Sequence, residues 1–242
     1  MKNTKPLKIV ALLTGRGGSS MKDKNVLPVG GHPLLSYPAR AALDSVYITD
    51  YYVSSDDEKI LDTAEKYGYK RIQRPAELAS DTAQHKDAIT HALKVMKKKD
   101  GVVPDIVVVL LANTVAVKTD WIDSCVQELI DDQTVTCAAP VYNDSNHHPI
   151  RGKKVDENGC LVPLLDLEGN DVSTNRQDLY PSYFFCHNFW VLRSEIIDNP
   201  NGQKPWVFMG NKIKPYFIDC PYIDIHDEDD LEESERWLKR HG

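Results

Sequence analysis

The chain has 242 residues, of which 41% are hydrophobic, so it is long enough to bury a full core without metals or disulfides. Its five cysteines form no C-x-x-C pair, which argues against a zinc site, and its net charge of −7 disfavours a general nucleic-acid binder. No run approaches the roughly 20 apolar residues of a membrane span, and the opening MKNTKPLKIV lacks an apolar signal core, so we expect a cytoplasmic protein without membrane or nucleic-acid partners.

The first predicted strand, residues 7–13, breaks into a glycine-rich loop at residues 14–20. Glycines let backbone N–H groups close around a phosphate chain, and Arg16, Lys22 and Lys24 can neutralise its charge. The alternative is a tight turn at a sheet edge, but such a turn has little need for three cations. We therefore predict an anion site. The loop has neither the G-x-x-x-x-G-K-[ST] nor the G-x-G-x-x-G spacing, so a different nucleotide fold is implied.

Strand and helix patterns alternate up to residue 141. The predicted strands are 7–13, 51–55, 70–73, 105–111 and 134–141, and the predicted helices begin near residues 33, 58, 85 and 119. This order predicts a Rossmann-like, three-layer α/β/α fold with a mostly parallel sheet. Asp56 follows the second strand and residues 112–118 follow the fourth, at the edge where such sheets bind ligands.

The alternation stops at residues 142–182, which are polar and rich in Asn, Asp and Gly. We interpret them as an excursion, with a hairpin at 153–162, inserted into a single domain of residues 1–242. Such an excursion serves as a lid or a dimer arm. The core then resumes with an aromatic strand at 183–192, a strand at 214–218 and an amphipathic helix from 228 to 240.

Five short blocks, spread in order along the chain, resemble one family of enzymes. They are GRGGS at 15–19 with KN at 24–25, SSDDE at 54–58, RPAELA at 74–79 with DT at 81–82, RQDL at 176–179 and IDIHDEDDL at 223–231. In this order they are similar to blocks of the cytidylyltransferases that activate nine-carbon and related sugar acids, the CMP-sialic acid synthetase family. Any one block is weak, but five in order over nearly the whole chain identify the family.

The resemblance implies a nucleotidyltransferase fold and transfer of CMP from CTP to an acidic acceptor, with release of pyrophosphate. A sialic-acid-like nonulosonate is the first choice of acceptor. Two alternatives stay open: the same chemistry on a phosphonate or another small acid, and a non-catalytic nucleotide-binding paralogue. Mg²⁺ as cofactor and a homodimer are also implied.

The resemblance assigns roles to individual residues. The catalytic residues would be Arg16 and Lys24, on the phosphates, and Asp224, a hard carboxylate suited to Mg²⁺. His226 replaces the family's second aspartate and is a weak metal candidate, because imidazole is a poor partner for magnesium. The implied nucleotide-binding residues are Thr14, Gly15, Arg16, Gly17, Gly18, Ser19, Lys24, Asn25, Arg74, Asp81 and Thr82.

Most departures from the family pattern fall on the acceptor or metal side. Ala112 replaces the glutamine that contacts the sugar acid, and Cys186-His187 replaces an Asn-Gly pair. On the donor side, the loop has Ser20-Met21 where the family has lysine and glycine. This distribution favours retained donor chemistry with an altered acceptor. The candidate acceptor-binding residues are Asn113, His147, His148, Arg151, Arg176, Gln177 and His187, although adjacent histidines in a polar loop are more often merely exposed.

Overall fold

The computed structural model describes residues 6–18, 21–166, 172–219 and 225–241. The strands are β1 (Ile9–Thr14), β2 (Pro28–Val29), β3 (His32–Pro33), β4 (Asp50–Ser55), β5 (Lys70–Gln73), β6 (Ile106–Leu111), β7 (Cys137–Asn143), β8 (Lys153–Val155), β9 (Leu161–Pro163), β10 (Tyr183–Phe185), β11 (Phe189–Arg193) and β12 (Ile213–Phe217). The helices are α1 (Ser36–Leu43), α2 (Glu58–Glu65), α3 (His85–Asp100), α4 (Thr119–Asp131) and α5 (Glu228–His241). No helix within these ranges is long and apolar enough to cross a membrane.

Eight of the described strands form one mixed sheet. β5, β4, β1 and β6 pair in parallel, and β11 lies antiparallel between β6 and β7. β12 pairs in parallel with β7. Every residue of β1 and β6 is buried, as expected for continuous apolar strands covered on both faces. The carboxyl ends of β1, β4 and β6 therefore meet at one edge of the sheet.

Helices cover both faces of this sheet. Alternate residues of β1 point to opposite layers, because side chains along a strand alternate in direction. Leu13 packs with the apolar faces of α1, α2 and α4, whereas Leu12 packs with α3 and the 3-10 turn Val207–Met209. This arrangement confirms the predicted three-layer α/β/α fold.

The predicted helix at 33–43 begins later than the sequence pattern indicates. Pro33 belongs to β3, which pairs with β2 in a short hairpin, and α1 begins at Ser36. Pro38 fits in the first turn of α1, because an N–H there would have no partner within the helix.

The prediction of one continuous strand at 183–192 is wrong. Phe185 pairs with Val141 and Val191 pairs with Ala138. The chain therefore advances six residues from β10 to β11 while the partner strand β7 advances only three. The extra residues form a bulge between β10 and β11, in which His187 has a φ of 46°. Strand propensity alone gives no sign of this bulge.

The excursion at 142–182 contains the predicted hairpin. β8 and β9 pair antiparallel, with Lys153 opposite Pro163. Gly159 has a φ of 77° in the connecting turn, a backbone conformation that favours glycine. Several large apolar side chains of the excursion, such as Leu161, are exposed.

Candidate active site

A cleft of about 590 Å³ opens at the carboxyl ends of β1 and β6. It brings together residues that are up to about two hundred positions apart in the sequence, because the parallel strands end at this edge. The predicted site residues that line it are Thr14, Gly15, Arg16, Lys24, Asn25, Arg74, Asp81, Asn113, His187 and His226.

The loop after β1 is held by backbone and side-chain contacts to the end of β4. The Gly15 N–H donates to the Ser54 carbonyl over 3.3 Å, and the Gly17 N–H donates to Asp56 Oδ1 over 3.1 Å. Asn25 Nδ2 donates to the Arg16 carbonyl over 3.1 Å. The loop therefore has a defined shape, fixed mainly by β4 and by the residues that follow it.

Arg16 projects from this loop across the cleft. Its guanidinium lies 2.8 Å from Asp81 Oδ1, which belongs to the segment between β5 and α3. The Asp81 side chain is 88% exposed, whereas that of Arg16 is 38% exposed. The ion pair thus joins the two walls of the cleft at its solvent side.

Lys24 and Thr14 lie deeper. Lys24 is buried, and its Nζ donates to the Ile225 carbonyl. The Thr14 hydroxyl donates to the Leu110 carbonyl over 3.1 Å. The Ile225 N–H donates to the Asn113 carbonyl, so Lys24 and the loop after β6 are tied to the same short segment.

Arg74 is a buried cation at the base of the cleft. Its Nε donates to Ser54 Oγ over 3.2 Å and its Nη2 donates to the Ser54 carbonyl over 2.6 Å. Burial lowers the pKa of Arg74 to about 10, and the nearby Arg16 adds to this shift while Asp56 opposes it. Arg74 therefore stays charged at neutral pH, with Asp56 as a compensating carboxylate.

Aromatic rings and imidazoles form the opposite wall. The His187 ring lies 5.3 Å from Trp206 and 5.9 Å from Trp190, centroid to centroid. The bulge between β10 and β11 directs His187 into this group, and the left-handed backbone it adopts is uncommon for a non-glycine residue. His226 also lines the cleft, and its backbone N–H donates to Asp230 Oδ2 over 2.7 Å.

His85, the first residue of α3, borders the same cleft. Its ring lies 5.3 Å from Trp190. His85 keeps part of its surface exposed, but desolvation within the cleft, followed by the positive charge of Arg74 and the nearby His187 and Arg16, lowers its pKa to about 4. His85 is therefore neutral at pH 7, and a neutral imidazole can both donate and accept a hydrogen bond.

The candidate acceptor residues of the excursion do not line the cleft. The His147 side chain is 82% exposed and pairs with Asp144. His148 is buried: its Nδ1 accepts from the Ile150 N–H, and its Nε2 donates to the Tyr180 carbonyl. Arg151, Arg176 and Gln177 are exposed. Their assignment to acceptor binding stays a prediction.

Other predicted site residues lie at the edge of the cleft or outside the described ranges. Gly17 and Gly18 belong to the loop without lining the cleft, and Thr82 is exposed. Ser19 and Asp224 lie outside the described residues. Within the residues that are described, no three His, Cys, Asp or Glu side chains cluster closely enough to hold a metal ion. The magnesium site around Asp224 stays a prediction.

Asp56, His85 and Trp206 belong to the site, although the roles implied by the resemblance do not include them. Asp56 holds the loop, and its position at the carboxyl end of a predicted strand was a usable signal. His85 lies three residues after Thr82, so proximity in sequence to the Asp81-Thr82 block could have indicated it. Trp206 lies in a segment without a recognisable motif, and only the fold brings it to the cleft.

Comparison with protein families gives one match over most of the chain. The family described as "Cytidylyltransferase" matches residues 10–183, which include the loop after β1, Arg74, Asp81 and the excursion.

Curated relatives are similar over parts of their length. The N-acylneuraminate cytidylyltransferase of Escherichia coli O18:K1:H7 is 39% identical over 89 residues, which are 36% of this chain and 21% of that protein. The pseudaminic acid cytidylyltransferase of Campylobacter jejuni (serotype O:2) is 29% identical over 130 residues, 53% of this chain and 56% of that protein. The chain thus spans about half or less of the length of these relatives.

A solved structure shares the fold. The structure of CMP:2-keto-3-deoxy-manno-octonic acid synthetase complexed with CTP superposes with a TM-score of 0.69, covering 97% of this chain and 100% of that one. At 17% sequence identity this likeness shows the fold alone.

Proposed function

This chain belongs to the cytidylyltransferase family, and we propose that it transfers CMP from CTP to an acidic sugar, with release of pyrophosphate. One observation carries the proposal. The cleft gathers Arg16, Lys24 and Arg74 at the carboxyl edge of the sheet, where three cations suit a triphosphate. The names of the relatives, which act on N-acylneuraminate and pseudaminic acid, support the class of acceptor.

The proposed reaction needs little covalent chemistry from the protein. An acceptor oxygen attacks the α-phosphorus of CTP, the bond from that phosphorus to its bridging oxygen breaks, and pyrophosphate leaves. Catalysis then consists of holding the two reactants in line and offsetting the charge of the phosphates. Arg16 would act on the phosphates from the loop, and Arg74 would act from the base of the cleft.

The acceptor would bind against the wall of Asn113, His187 and Trp206. A sialic-acid-like nonulosonate is the first candidate, in line with the relatives' names. A phosphonate or another small acid is the second candidate. The observation that favours it is the wall itself: Ala112 lines the cleft where the resemblance leads one to expect glutamine, and His187 lines it where the resemblance leads one to expect an Asn-Gly pair.

Mg²⁺ is part of the proposal, with Asp224 as its carboxylate ligand. When bound, the ion would offset charge on the triphosphate. His226 lies at the cleft and would be a weak ligand, since magnesium prefers oxygen donors. Activity should therefore require added Mg²⁺ and disappear with a chelator.

A homodimer is also proposed, with a second copy covering the excursion. Val155, Leu161 and Tyr180 are 66%, 72% and 69% exposed, which is more apolar surface than one short segment commonly leaves to water. Sedimentation of the wild type should give twice the chain mass, and Leu161→Glu should shift it toward the monomer. A wild-type monomer at all concentrations would refute the dimer.

The activity is tested by pyrophosphate release from CTP and Mg²⁺ with a panel of acceptors: N-acetylneuraminate, pseudaminate, 3-deoxy-manno-octulosonate and 2-aminoethylphosphonate. The expected result is release with one acid, with CTP preferred over UTP, ATP and GTP. Release with the phosphonate alone would select the second candidate. Tight CTP binding without release for any acid would indicate a non-catalytic paralogue and overturn the enzymatic proposal.

A further inference from the structure

Among the described residues, Asp56 and Asp81 each bond to the loop after β1, and they do so in different ways. Asp56 accepts a hydrogen bond from the Gly17 N–H, and Asp81 pairs with the Arg16 guanidinium. Backbone N–H groups and guanidinium groups are the donors that bind phosphate oxygens in proteins. Each carboxylate thus contacts a group with which a triphosphate would interact.

Asp56 is fixed in place by the fold. It follows β4 directly, and its neighbour Asp57 caps α2 by accepting hydrogen bonds from the Lys59 and Ile60 N–H groups. The negative charge of Asp56 also raises the pKa of the buried Arg74 and so opposes the lowering that burial causes. Removing Asp56 would leave that cation poorly compensated, so Asp56 belongs to the permanent framework of the loop.

Asp81 is held much less firmly. Its side chain is 88% exposed, and it lies outside regular secondary structure, between the 3-10 turn Ala76–Leu78 and α3. An exposed ion pair of this kind contributes only about 0–1 kcal/mol, because water screens both charges. A triphosphate carries several negative charges and can replace one such carboxylate at little cost.

We propose that Asp81 is an internal competitor of the nucleotide: it holds the Arg16 guanidinium across the cleft, and the triphosphate binds by displacing it. The proposal rests on the proposed function, since it concerns the same phosphate-binding residues. It gives Asp81 a role opposite to the nucleotide-binding role that the resemblance implies for this residue. A residue that binds cytidine raises nucleotide affinity, whereas a competitor for Arg16 lowers it.

The test compares the dissociation constants of CTP and of inorganic tripolyphosphate for the full chain by calorimetry. Asp81→Asn should bind both probes about twofold to fivefold more tightly, which is the range of an exposed ion pair. Asp87→Asn is the matched control: it removes one exposed carboxylate from the first turn of α3, and its affinity should stay within about 1.5-fold of the wild type.

The Arg16→Ala background separates competition from a general charge effect. With Arg16 removed, Asp81→Asn should no longer change the affinity for tripolyphosphate, because there is no guanidinium to release. A gain that persists in that background would mean through-space repulsion and would overturn the proposal. Equal or weaker binding by Asp81→Asn in the presence of Arg16 would overturn it as well.

The two probes also distinguish this proposal from the proposed function. In one outcome, Asp81→Asn binds tripolyphosphate more tightly while the protein shows no preference for CTP. That result would support the displacement of Asp81 from Arg16 and contradict the cytidylyltransferase function. CTP binding by the wild type with no gain in Asp81→Asn would leave the function standing and contradict the displacement. Unchanged melting temperatures would verify that both variants fold.

Discussion

The polar residues that the sequence singles out lie around the cleft or in the excursion at 142–182, and the fold holds these two groups in different ways. Lys24 and Arg74 are buried at the cleft and are bonded to backbone carbonyls of other segments. In the excursion, His147 and Arg176 are exposed, and their side chains bond to Asp144 and Asn146 of the same excursion. Position at the cleft, rather than burial alone, therefore distinguishes the site candidates, since His148 of the excursion is also buried and bonded but does not line the cleft.

The largest expected effect separates these two regions directly. Arg16→Ala should lower kcat/KM for CTP about 100-fold, because a lost charge-assisted contact to the phosphates costs about 3 kcal/mol in the transition state. The matched change in the excursion, His147→Ala, should leave the KM for CTP within about twofold. Steady-state kinetics with saturating acceptor measure both. A large effect of His147→Ala on the KM for CTP would show that the excursion contacts the nucleotide, and the two regions would then not differ in this respect.

An intermediate effect tests the fastening of the loop. A Cβ on Gly17 would lie 2.7 Å from Asp57 Oδ2, so Gly17→Ala must displace the loop or the cap of α2. The free energy of unfolding should fall by about 1–3 kcal/mol, the usual cost of overpacking. Gly18→Ala is the neighbouring control, since nothing lies within 4 Å of its Cβ position. Equal denaturant midpoints for the two variants would contradict the contact.

The smallest expected effect concerns pH. The pKa of His85 is lowered from 6.5 to about 4. Between these two pH values, His85 is therefore mostly protonated in the unfolded chain and mostly neutral in the folded chain. The folded state should lose stability as the pH falls from about 6.5 toward 4, and His85→Gln should lose less. Melting temperatures at pH 7 and pH 5 give the comparison. An identical decline in both proteins would mean that His85 is protonated normally.

Local patterns in the sequence were sufficient for much of the fold. β5 begins and ends at the predicted residues, α4 begins at its predicted residue, and β6 matches its prediction within one residue, because each has a local pattern with a clear break. The bulge at His187 was missed, because it results from the pairing of β10 with β7 and of β11 with both β6 and β7. These partner strands lie far from His187 along the chain. Pro33 was assigned to a helix for a different reason: its pairing with Pro28 is local, across the Gly30-Gly31 turn, but proline is also favoured at the start of a helix.

The features of the candidate site also divide into those that the sequence indicated and those that only the structure revealed. The sequence by itself determined the layered α/β architecture, the glycine-rich loop and the cations around it, because these follow from periodicity, glycine content and charge within short segments. Only the tertiary structure decided that Asp56 holds the loop, that Asp81 pairs with Arg16, and that Trp206 faces the cleft. Those contacts join segments far apart along the chain, and such distances are set by how strands and helices pack rather than by any local pattern.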